Sequence, residues 1–282
     1  MDIGRYKLSI LPKSVDSDSE FILSFYDQME GGHSNPEEEG VILIGIFSLL
    51  FNTTITKTGF RINDIDCGIQ STNLKNSFPE IFNELDDTDY SLYFSNMLCM
   101  SDQIIKQFVR ASHAYSMAIR SFDLDISLSF LLLVTAIECL STQEEFISNK
   151  ELNKDKHSAE RYCRFVNQFC EKKFNLISQD GEEGFLRNLK TVYYVHRSGF
   201  VHGGKEVSVA AKMADRSGRS SMPHIENGKE VFTPGIFWFF NVVRNSLLGF
   251  LKDHPKHHEE PNYKPLSEIA RDRATLTVKF GG

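Results

Sequence analysis

The marks of the commonest cofactor and metal chemistries are missing from this chain. Its five cysteines (Cys67, Cys99, Cys139, Cys163 and Cys170) contain no Cys-x-x-Cys pair, and their number is odd. That excludes a zinc ribbon and argues against a disulfide framework. The thiols read as small hydrophobes in a reducing compartment. There is no Gly-x-x-x-x-Gly-Lys-Ser/Thr loop and no Gly-x-Gly-x-x-Gly turn, so neither phosphate-cradling fingerprint is present. No carboxylate cluster suited to Mg²⁺ stands out, and no cofactor is expected. No apolar run reaches the length of a bilayer span. Residues 41–51, 126–140 and 236–251 come nearest, the last broken by Asn241 and Arg244, and all three read as buried helices. The first 27 residues mix charge throughout and lack the pattern of a secretory leader. The expectation is a cytoplasmic protein with no membrane partner.

What is present fits a packed globular chain. The 282 residues are 41% hydrophobic and 24% charged, and 23 are phenylalanine. Such a chain buries a sizeable aromatic core. The net charge of −7 argues against a surface coated for nucleic acid, but the charge is unevenly spread. Residues 1–149 hold 9 Lys and Arg against 22 Asp and Glu, whereas residues 150–205 hold 11 against 7. A local basic surface therefore precedes the octapeptide "RSGFVHGG" at 197–204, where it can meet a phosphate backbone. Solvated helix faces account for the same excess equally simply.

Periodicity predicts a mainly α chain preceded by a smaller mixed α/β region. "YKLSIL" and "EFILSFY" are strand-like. "NPEEEG" opens a helix that runs to about Phe51, with Asn35 as cap, Pro36 at the first helical position and Glu37 to Glu39 at the positive end of the dipole. Residues 52–95 carry weaker signals: "TTITKTGFRI" suggests a strand and "PEIFNEL" a short helix. Five helices then follow, over 97–121, 124–147, 157–174, 182–201 and from Thr233-Pro234 to about Lys252. Between the last two, residues 206–230 read as a polar loop. The tail ends in a strand-like "TLTVKF". The expected organisation is an N-terminal region at 1–94, a helical bundle at 95–254 and a tail at 255–282.

Two features carry candidate chemistry. Glu138 is the lone charge in "ISLSFLLLVTAIECL", and a carboxylate there needs a cation, for which Arg197 and Arg187 are the candidates. Arg197 and His202 together suit RNA cleavage without a metal. An imidazole, with an ordinary pKa of about 6.5, takes or gives a proton near neutrality and contributes roughly 10²–10⁴-fold. A guanidinium forks onto phosphate and stabilises the charge that builds in the transition state. In a straight helix residues five apart sit about 140° apart. The two groups therefore converge only if Gly199 ends the helix or a second chain completes the site.

"RSGFVHGG" resembles the Arg-x(4–6)-His motif of the HEPN superfamily of helical bundles. With "LLVTAIECL", "HSAERYCRFV" and "LKTVYYVHRSGFVHGG" in that order, the chain is similar to the Apea-like HEPN branch over roughly residues 95–254. The resemblance implies a HEPN-like helical bundle and a metal-independent endoribonuclease. It also implies a homodimer with a composite site, and a role in bacterial antiviral defence or toxin–antitoxin systems. Under it Arg197 binds the phosphate and His202 is the acid/base. Ser198 stands where many active members have Asn, Asp or His, and Glu138 orients the arginine. Lys150, Lys154, Arg161, Arg164, Lys172 and Lys173 form the basic run expected to hold RNA.

The alternative is a non-catalytic module that dimerises or binds a partner, with Arg197 and His202 as ordinary cations at a helix C-terminus. Residues 1–94 are open to a sensing role toward a regulatory protein. His196, on the apolar stripe, reads as a core histidine. "HPKHHEE" at 254–260 reads as solvated surface rather than a metal site, and Ser220, Ser221 and His224 do not make a nucleophile–base pair.

Overall fold

In a computed structural model the chain is mainly helical. Described are residues 2–3, 6–12, 21–27, 36–51, 54–57, 69–72, 87–142, 158–171, 181–204, 206–207, 210–217, 219–226, 228–253 and 264–270, with side chains over 38–50 and from 92 onward. Near the N-terminus, β1 (Asp2–Ile3), β2 (Tyr6–Pro12), β3 (Phe21–Asp27), β4 (Thr54–Lys57) and β5 (Ile69–Thr72) form an antiparallel sheet in the order β1-β2-β3-β5-β4. Helix α1 (Pro36–Phe51) lies between β3 and β4 in the chain. Its Leu43, Ile46, Phe47 and Leu50 enter the same apolar core as the helices beyond residue 95.

Those helices are α2 (Asp87–Leu98), α3 (Asp102–Ser121), α4 (Ile126–Ser141), α5 (Ser158–Phe169) and α6 (Gly181–Thr191). A π-helical segment (Val192–Arg197) continues α6 into α7 (Ser198–Gly203), which ends at Gly204 with a left-handed φ of 59°. Then come α8 (Ala210–Arg216), a hairpin of β6 (Ser221–Glu226) and β7 (Lys229–Pro234), α9 (Ile236–Asp253) and the short α10 (Leu266–Ala270). Helix α9 is buried along most of its length and stacks Phe239 on Phe130 of α4, with ring centroids 5.6 Å apart. At Gly249 it meets α5 so closely that a Cβ would run into the Phe169 carbonyl. No helix among the described residues is long and apolar enough to cross a membrane.

Several expectations need correction. The helix expected over 97–121 starts at Asp102, because Cys99 and Met100 form a turn and Ser101 caps α3 by accepting from the Ile104 N–H. Met97 to Met100 are all buried, so apolar periodicity runs through the break and hides it. The polar loop expected over 206–230 contains α8 and the first strand of a hairpin. Asn227-Gly228 is the sequence signal for that turn, and Gly228 takes the positive φ of 74° that such turns require. Pro234 does not open the last helix; it ends β7 opposite Ser221, and α9 begins at Ile236. The helices expected over 124–147 and 157–174 are shorter, ending at Ser141 with Thr142 as C-cap and at Phe169 before the bend at Cys170. "PEIFNEL" and the tail strand lie outside the described residues.

Helix ends in this fold are closed by side chains from distant helices, which satisfies backbone groups that a helix alone leaves open. Buried Glu39 of α1 accepts from the Leu266 and Ser267 N–H groups of α10, at 2.9 and 2.8 Å. Asp215 of α8 accepts from Ile236 and Phe237 at the start of α9, at 3.2 and 3.0 Å. Burial pushes the Asp215 carboxyl up to about 7, against those two amides, which favour the anion. Arg244 of α9 donates to the Leu49 and Leu50 carbonyls at the end of α1, at 3.0 and 2.6 Å. Local N-caps close α3, through Ser101, and α4, through Asp125 accepting from Ser127 and Leu128.

Candidate functional site

The site is built where α4 faces the π-segment. Helix α4 is apolar on nearly every side, so Glu138 is held at a half-buried position and must find partners there. It finds two. The Tyr193 hydroxyl donates to Oε1 at 2.8 Å, and Arg197 Nη2 lies 3.2 Å from Oε1 and 3.4 Å from Oε2. Arg187, the other candidate cation, is not engaged with Glu138. Its guanidinium sits 3.8 Å over the Phe232 ring of the hairpin.

Tyr193 joins these groups into one cluster. The Arg197 Cζ lies 5.3 Å from its ring centroid, and the ring packs against Tyr162 of α5 at 5.2 Å. Burial raises the Tyr193 phenol above its ordinary value and the bond to Glu138 adds to this, outweighing Ser158 and Arg197. Tyr193 is thus a neutral donor that fixes the carboxylate, and the carboxylate fixes the guanidinium. Arg197 keeps 28% of its side-chain surface open, although its Nε is buried. The guanidinium is held at Nη2 while part of the side chain still meets solvent.

Tyr193 and Arg197 stand four residues apart, on one helix face, and so reach one carboxylate from a segment that is π-helical. The Ser198 N–H donates to the Tyr193 carbonyl five residues back, as well as to Val195. The widened turn resets the phase of the chain between α6 and α7, and such bulges recur at functional sites. Ser198 itself is half-buried, and its contribution here is that backbone bond. Beyond it, α7 buries none of its residues, and His202 is exposed in its last turn. Among the described residues no hydrogen bond or ion pair joins His202 to Arg197. The one faces solvent and the other is anchored toward α4.

The remaining expected residues divide. Arg161 is half-buried and Arg164 exposed on α5, the helix that carries Tyr162 against Tyr193. Lys150, Lys154, Lys172 and Lys173 lie outside the described residues, as does "HPKHHEE". His196 is buried against Phe130, with ring centroids 5.0 Å apart. His224 Nδ1 and Thr233 Oγ1 lie 3.4 Å apart across the hairpin. Burial pushes the Cys139 thiol up and the Cys163 thiol to about 11, so neither supplies a thiolate near neutrality.

Tyr193 is the participant that sequence reasoning passed over, because its helical spacing places it on the same apolar face as His196. Its signal was available: a buried tyrosine needs a partner for its hydroxyl, and it stands four residues before Arg197. Compared with known proteins, the chain matches no family model, no curated protein and no solved structure.

Proposed function

We propose that the chain is a metal-independent endoribonuclease of the HEPN type. It cuts RNA by attack of a ribose 2′-hydroxyl on the adjacent phosphorus and leaves a cyclic phosphate end. Arg197 binds the phosphate and stabilises its developing charge. His202 takes the 2′-hydroxyl proton or delivers one to the leaving oxygen. Glu138 and Tyr193 position the guanidinium. The observation that carries this reading is Arg197, clamped by Glu138 yet partly exposed, followed five residues later by an exposed histidine.

Among the described residues no hydrogen bond or ion pair joins Arg197 and His202 of one chain, so the reading includes a homodimer in which the motifs of two copies make one composite site. Roles in bacterial defence or toxin systems fit such an enzyme and belong to the same proposal. The test is cleavage of RNA in EDTA by wild type and by His202→Ala. Loss of cutting with unchanged melting supports catalysis, and equal cutting by both proteins removes His202 from the mechanism. A sedimentation experiment at micromolar concentration that finds only monomer counts against the composite site.

The second reading is a non-catalytic dimerisation or partner-binding module. It is favoured by the exposure of Val195 and Val201 beside the motif. Under that reading neither protein cuts RNA, and His202→Ala lowers the melting temperature.

A further inference from the structure

Tyr193 and Tyr194 are neighbours in sequence with opposite environments. Tyr193 is buried and bonded to Glu138, whereas Tyr194 keeps 59% of its surface open. Among the described residues it is the one aromatic counted with the exposed large hydrophobics. An aromatic ring left in water needs a reason when the other Phe, Tyr and Trp rings among the described side chains are buried or half-buried. The Tyr194 ring is not loose, however. It meets Tyr193 nearly perpendicular, with centroids 5.7 Å apart, and Tyr193 is pinned by α4. Tyr193 also has the Arg197 guanidinium 5.3 Å from its ring. The open ring and the open guanidinium are therefore both first neighbours of one fixed phenol.

An anion-binding fork beside a fixed, exposed π-face is the pair of groups that one nucleotide requires. The fork takes the phosphate and the ring takes the base. An apolar protein partner fits less well, because the open valines here are interleaved with Arg197 and His202, which suit a polyanion.

We infer that Tyr194 stacks an unpaired nucleobase next to the phosphodiester bound by Arg197, so that the site takes single-stranded RNA and rejects duplex. In a duplex both faces of each base are covered by its neighbours, and the ring has nothing to stack on. This inference rests on the reading that Arg197 binds an RNA phosphate.

The test uses the full chain and a fluorescent 2′-O-methyl oligoribonucleotide, which cannot be cut, as a single strand and as its duplex at one fixed salt concentration. The single strand is expected to bind more tightly than the duplex. Tyr194→Ala is expected to weaken the single strand by roughly 5- to 150-fold, the range for losing one stacked base. Tyr194→Trp is expected to keep the affinity, and its indole is quenched on binding, over a background of one buried tryptophan, Trp238. Wild-type affinity in Tyr194→Ala, with binding lost in Arg197→Ala, overturns the stacking inference and leaves the RNA reading standing. So does equal binding of strand and duplex. A dimer that falls apart in Tyr194→Ala with affinity unchanged overturns it in favour of an interface residue. If wild type neither binds the strand nor cuts unmodified RNA, the RNA reading falls first and this inference with it.

Discussion

Two arginines in this molecule show how the same side chain is put to different use. Arg244 is 5% exposed, and its Nε and one terminal nitrogen are spent on carbonyls at the end of α1. It closes a helix end and ties α9 to α1. Arg197 is held at one nitrogen by Glu138 and keeps more than a quarter of its side-chain surface open. A guanidinium saturated by backbone acceptors is structural. One fixed by a single carboxylate is oriented and still able to bind. The difference lies in which donors are used up, and charge alone does not reveal it.

The contrast is tested most severely at Arg244. Arg244→Ala leaves buried carbonyls at the end of α1 unsatisfied and is expected to cost about 2–5 kcal/mol of unfolding free energy, read from urea melts. Unchanged stability there would erase the distinction between the two arginines.

Asp215, another long-range cap, gives the next largest effect. Its folded carboxyl titrates at about 7 against an ordinary 3.8, so between those values the folded state holds a proton that the unfolded chain has lost. Stability is therefore expected to fall as pH rises from about 4 to about 7, by on the order of 2–4 kcal/mol, and to be flat above. Asp215→Asn should flatten that slope in denaturant melts taken across the range. A slope that persists assigns it to another group.

Glu138→Gln breaks a half-buried pair and is expected to cost only about 1 kcal/mol. Under the proposed ribonuclease reading it is expected to lower RNA cleavage by about 10-fold or more, because the guanidinium loses its anchor. A large stability loss with intact cleavage would put Arg197 in the same class as Arg244. Smallest in stability is His202→Ala. At an exposed helix end it should change unfolding by less than about 1 kcal/mol while lowering cleavage by about 10²–10⁴-fold.

Much of the fold was legible because helices with one apolar face announce themselves every three or four residues. α1, α4, α5 and α9 lie close to where periodicity puts them. The signal failed where it had no contrast. The turn at Cys99 and Met100 is as buried as the helices on either side, and the hairpin was masked by the polar composition around it, although Asn227-Gly228 marked its turn. At the candidate site, the need of Glu138 for a cation could be read from its apolar surroundings, as could the two arginines able to meet it. Tyr193 was legible only in part: its spacing put it on the apolar face, and its hydroxyl demanded a partner that only packing names.

By itself, then, the sequence determined a mainly helical chain with an aromatic interior, and a carboxylate in α4 that demands a partner. Local periodicity and the cost of burying charge are properties of neighbouring residues, and they need no knowledge of the rest of the chain. Only the tertiary structure decided that Arg197 answers Glu138 while Arg187 lies on Phe232, that Glu39, Asp215 and Arg244 close the ends of helices other than their own, and that the face shared by Tyr193 and Arg197 lies against α4. Each of these depends on which groups far apart in the chain come within hydrogen-bond reach, and that distance is set by packing.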